Sequence, residues 1–206
     1  MTRGRLPRHE GSKSVERTTR RGVLYRGVGV MVVLLGGCVG EVRGQVQQHA
    51  SHPLGTVYFP ITCSEKAQVE FNRALALLHH MTYPQAREAF QQVATTDPRC
   101  TMAQWGIAMT LFQPLWPTRP GPEALQRGWE AAQKAKALQP PTERERLFVA
   151  AAEAFFLEPA SSDYWLRIRR WEQAMKKVYA SFPDDAEAAT FYALAHLATA
   201  PSNTLS

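Results

Sequence analysis

Apolar residues recur along most of this chain at the spacing of a helix face rather than that of a strand. Phe71, Ala74, Leu75 and Leu78 form one stripe, and Ala86, Phe90 and Val93 stand at i, i+4 and i+7. Thr62-Cys63-Ser64-Glu65 fits a capping box ahead of the first stripe, which predicts a helix from there to about His80. Met81-Thr82-Tyr83-Pro84 reads as a turn with proline early in a second helix that runs to about Thr95. The same pattern predicts helices over about 100–112, 122–138, 143–157, 163–181 and 184–199, with Thr142 to Glu145 as a second capping box. Thr56-Val57-Tyr58-Phe59, stopped by Pro60, is the β-prone exception and reads as a strand-like arm packed on the first helix pair.

The helices come in pairs. Pro98, Pro140 and Pro183 close successive pairs and lie 42 and 43 residues apart. Ten residues beyond each stands an alanine, Ala108, Ala150 or Ala193, and three before that a bulkier position, Trp105, Leu147 or Thr190. Ala74 and Phe71 hold the same places in the first pair. A small residue lets two helices approach, and a large neighbour fills the adjacent groove. The spacing exceeds a regular repeat because Gln113 to Gly121, rich in proline, is inserted within the second pair. Gly128, Ala132 and Ala135 mark the contact face of that pair's second helix; Trp171, Met175 and Val178 mark that of the third.

Ala74, Ala86, Phe90 and Pro98, at intervals of twelve, four and eight, resemble the pattern of the tetratricopeptide repeat family. The body also resembles a group of exported bacterial tetratricopeptide repeat proteins of poorly defined function. That likeness rests on Phe59-Pro60-Ile61-Thr62-Cys63, Ala74 to His79, Tyr83 to Ala86, Asp97 to Gly106, Pro114-Leu115-Trp116 and Phe191 to Ala195. It implies an all-α stack of antiparallel helix hairpins in a right-handed superhelix, and no catalytic residues. The last helix would have no hairpin mate, leaving Phe191, Leu194 and Leu197 uncovered, so the sequence reads as truncated. Residues lining the family's peptide groove would be Phe71, Leu75, Leu78, His79, Trp105, Met109, Phe112 and Gln113. Nearly all are apolar, which is equally consistent with burial under the tether or under a missing domain. The lack of Lys or Arg among them argues against capture of a peptide's terminal carboxylate.

Ahead of the repeats, residues 1–26 are basic and Gly27 to Leu35 are apolar, too short to span a bilayer and fit for an export signal. Leu35-Gly36-Gly37-Cys38 resembles a bacterial lipobox, which implies cleavage before Cys38 and a lipid on its thiol. Arg20-Arg21 also resembles a twin-arginine signal. The domains are thus an export signal (1–38), a tether and extended arm (39–60), a helical repeat domain (61–200) and a tail (201–206). The predicted place is the periplasm, on the outer membrane, since Val39 carries no acidic retention signal.

Charge alters one conclusion. The net +6 comes from the leader, which holds eight of the 24 basic residues and two of the 18 acidic ones; the remaining 16 and 16 cancel. A neutral body has no footprint for a phosphate backbone, which argues against nucleic acid as a partner.

Candidate chemistry is sparse. Cys63 and Cys100 each open a pair's first helix, stacking brings those starts to one edge, and export favours a disulfide. His79 and His80 suit the carbonyl end of the first helix; with Trp105 they are the only candidates for a metal- or haem-handling accessory or enzyme fragment. No metal, cofactor or catalytic residue is assigned. His49 and His52 read as solvated tether residues, and His196 as packed. Of the five tryptophans, Trp116 is predicted the most exposed, the others core. Arg167-Ile168-Arg169-Arg170 reads as part of a solvated helix face. The function this supports is a protein- or peptide-binding scaffold at the envelope, with an inactive truncated copy as the remaining alternative.

Overall fold

The computed structural model describes residues 54–116, 118–160 and 163–200, all of which fall in the unit His49–Ser206. The fold is all-α: among the described residues there are seven helices and no strand. They are α1 (Glu65–His79), α2 (Tyr83–Thr96), α3 (Thr101–Met109), α4 (Pro122–Ala137), α5 (Glu143–Phe156), α6 (Tyr164–Ser181) and α7 (Ala186–Ala198). Each packs on the next in sequence, and α3 also contacts α1 and α5, so these three form one row. No described helix is long and apolar enough to cross a membrane.

Local chemistry sets the ends. Ser64 caps α1 by accepting from the Ala67 amide, Thr142 caps α5, Asp163 caps α6, and Asp185 caps α7 through the amides of Glu187 and Ala188. Pro84 and Pro122 occupy the first turns of α2 and α4, where the missing amide has no partner to lose. Met81, Gln139 and Glu158 close α1, α4 and α5 in the left-handed region, all at φ 57°.

Two capping expectations are corrected. Thr62 is not the cap of α1, and Glu145 does not reach back to Thr142. Instead the Glu145 carboxylate accepts the Thr62 amide at 2.6 Å, a long-range tie that outcompetes the local box. Asp184 likewise gives way to Asp185 at α7.

The repeat register is also corrected. Ala74, Ala86 and Ala108 are fully buried, but Ala150 and Ala193 are exposed. In α5 the core positions are Phe148, Ala151 and Ala152; in α7 they are Ala188, Phe191 and Ala195. The slip is one residue, about 100° around a helix. A fixed count from a proline takes no account of the link between proline and helix, and 138–142 and 182–185 are built differently from 97–100.

The core has two aromatic centres. Phe59, Phe71, Trp105, Phe148 and Phe191 make the first, with ring centroids 5.0–6.2 Å apart in the contacting pairs. Phe112, Phe155, Phe156 and Trp171 make the second; Phe112 stacks on Phe155 at 4.0 Å. Gly128 of α4 lies against the Phe156 ring and Gly106 of α3 against Phe90, so neither site has room for a Cβ. Of the three α7 residues expected to be uncovered, Phe191 is buried in the first centre, Leu194 is half-buried and Leu197 is 46% exposed.

Arg167 departs from the solvated face predicted for it. It is 2% exposed, and its guanidinium donates to the carbonyls of Phe155, Leu157 and Glu158, serving the end of α5. Burial, and then the nearby Arg170, lower its pKa from the ordinary arginine value.

Candidate functional site

Part of the predicted groove is filled by the chain's own arm. Val57 and Phe59 turn inward while Tyr58 between them is 73% exposed. Phe59 sits 5.4 Å from Phe71, 5.6 Å from Trp105 and 5.0 Å from Phe148. Phe71 and Trp105 are thus buried beneath the arm, whereas Leu75 is buried elsewhere in the core and Phe112 in the second aromatic centre. The β-prone run Thr56 to Phe59, stopped by Pro60, is the sequence signal for this arm; it does not give the depth to which Phe59 enters.

The arm is held by polar ties as well. The Arg144 guanidinium lies 3.8 Å from the Phe59 ring centroid, donates to the Pro60 carbonyl at 3.1 Å and pairs with Asp185. The Ser64 amide donates to Asp97 at 2.9 Å, and Cys63 is disulfide-bonded to Cys100, Cα atoms 5.2 Å apart.

Beyond the arm, an apolar cavity of about 200 Å³ survives between α1, α3 and α7. Leu78, His79 and Met109, three of the eight predicted residues, line it with Tyr83, Phe191 and Leu194. Gln113 lines a different cleft. The contribution of α7 was not foreseen, because nothing in a linear pattern says that this helix meets α1. They meet through His79, whose Nε2 lies 3.0 Å from Glu187 and whose ring is 5.5 Å from that of Phe191. Tyr83 has its pKa raised, burial outweighing the opposing hydrogen bond from Trp116, so it enters this wall as a neutral phenol. Trp116 itself is 49% exposed, Trp129 and Trp165 are partly buried, and Trp105 and Trp171 are core.

The two adjacent histidines do not converge. His80 Nε2 lies 3.1 Å from the Leu54 carbonyl while His79 faces Glu187, and Trp105 is buried, so the three form no joint site. Among the described residues no group of three His, Cys, Asp or Glu is placed to hold a metal. His196 is exposed rather than packed, 3.3 Å from Glu172. Cys38, His49 and His52 lie outside the described residues.

No protein-family model, characterised protein or solved structure matches the chain.

Proposed function

We propose that the chain is a peptide-binding scaffold of the tetratricopeptide type, exported and lipid-anchored through Cys38 at the bacterial outer membrane, with no catalysis of its own. The observation that carries this reading is the apolar cavity between α1, α3 and α7. Its size suits one apolar side chain of a partner rather than a whole small molecule, since small-molecule sites start at about 300 Å³. Tyr83 and His79 supply polar groups at the wall that can take a peptide's backbone. The basic leader with its lipobox-like end and the Cys63–Cys100 bond support export to an oxidising compartment.

Titration with labelled apolar peptides, each carrying one Leu, Phe or Trp anchor, tests the binding role. Leu194→Glu puts a charge at the cavity, and its expected effect is at least a tenfold loss of affinity with the helical signal unchanged. Equal binding by wild type and variant would overturn the assignment. Export and anchoring are tested separately by fractionating cells that express Cys38→Ser; the wild type is expected in membranes and the variant outside them.

A further inference from the structure

A second cleft, of about 440 Å³, lies between α2, Gln113, residues 118–121 and the start of α4. It is independent of the apolar cavity and chemically its opposite. Its wall carries three guanidiniums: Arg87 from α2, Arg119 from the loop and Arg127 from α4. The one carboxylate there is Glu123, which meets Arg127 at 3.6 Å with both side chains well exposed. Such a pair is weak and easily exchanged.

The other two arginines have no ion pair among the described residues. Arg87 Nε donates to Thr110 Oγ1 at 3.3 Å, and that hydroxyl donates onward to the Ile107 carbonyl at 2.7 Å, so Thr110 fixes the guanidinium without neutralising it. Burial, and then repulsion from Arg127, push the Arg87 pKa down; both oppose its charge, and the opposite charge of a nearby anion would offset them. Arg119 lies over the rings of Tyr164 at 4.3 Å and Trp165 at 5.0 Å. Its face is thus occupied by aromatics while its edge donors have no acceptor among the described residues, the arrangement in which arginine holds an oxyanion. Thr118 donates to Gln113 Oε1 at 3.0 Å, which leaves the Gln113 amide hydrogens for the cleft. Gly121, Glu123 and Ala124 also line it, and they form the start of α4, which has no side-chain cap. The body outside the leader is otherwise charge-balanced, so this grouping is a local feature and not a spill of general basicity.

We propose that this cleft binds a small molecule bearing two or more oxyanion charges, a phosphate ester or a polycarboxylate. Its volume is within the range of small-ligand sites, and three cations set around one space match multiple charges better than one. Calorimetric titration of the full chain at low ionic strength with inorganic pyrophosphate, with citrate and with chloride at matched ionic strength tests it. Saturable one-to-one binding of pyrophosphate or citrate is expected, weakened at least tenfold by Arg127→Gln and by Arg87→Gln. Arg146→Gln on α5, outside the cleft, should stay within twofold of the wild type. Arg127 is exposed, so its variant reads binding even if Arg87→Gln folds poorly. The tighter of the two ligands tells phosphate from carboxylate recognition. No saturable binding of either, or an equal loss in Arg146→Gln, overturns the proposal.

Discussion

The carboxylate of Glu145 and the backbone amide of Thr62 are 83 residues apart in sequence and 2.6 Å apart in the fold. Glu145 is 1% exposed, and its second oxygen has no hydrogen-bond partner among the described residues. It pins the arm where Phe59 enters the core. Glu145→Ala should cost on the order of 1.5–3 kcal/mol, the range for hydrogen bonds to charged groups. Chemical denaturation measures that loss, and limited proteolysis should show earlier cleavage near residues 54–62 than in the wild type.

Asp185 couples stability to acid. Burial is the largest influence on its carboxyl and raises the pKa; the Arg144 hydrogen bond and charge, with the amides of Ala188 and Glu187, outweigh it and leave the pKa lowered. A carboxylate depressed in the folded state contributes stability above its unfolded pKa of about 4 and loses that contribution as pH falls through the folded value. Stability should therefore drop on acidification below about pH 4. Asp185→Asn keeps a capping oxygen but not the charge, so it should be less stable near pH 7 by about 1–3 kcal/mol and converge with the wild type at low pH. A difference that persists unchanged into acid would refute this role.

Gly128 reverses a general rule. Glycine to alanine inside a helix is ordinarily favourable by about 1 kcal/mol. Here the added methyl would overlap the Phe156 ring, itself fully buried beside Phe112 and Phe155. Gly128→Ala should destabilise by about 1–3 kcal/mol. Pairing it with Phe156→Leu should recover part of the loss, because the obstruction is one ring.

The Cys63–Cys100 bond closes a loop with a sequence separation of 37 and ties the start of α1 to the cap of α3. In the chain-entropy model its reduction removes about 3–4 kcal/mol. Denaturation with and without reductant measures it, and Cys63→Ser should reproduce the reduced wild type.

How far the sequence reached differs between elements and their partners. Helix class and bounds were legible because they rest on local signals: the stripe Phe71, Ala74, Leu75, Leu78, the prolines at the starts of α2 and α4, and the Thr142 cap. The cysteine pair was legible because each residue opens a helix of one row. The phase of α5 and α7 was not, since a one-residue change in a link rotates every later side chain while leaving composition untouched.

By itself, the order of residues determined that this protein is helical and where most of its helices begin and end. Only the tertiary structure decided that Phe59 covers Phe71 and Trp105 of the predicted groove, that α7 meets α1 through His79 and Glu187, and that Arg87, Arg119 and Arg127 share one cleft. The physical reason is range. Helix propensity and capping act within a few residues, whereas what occupies a concave surface depends on how tightly the row of helices curves, and that is a property of all its packed side chains at once.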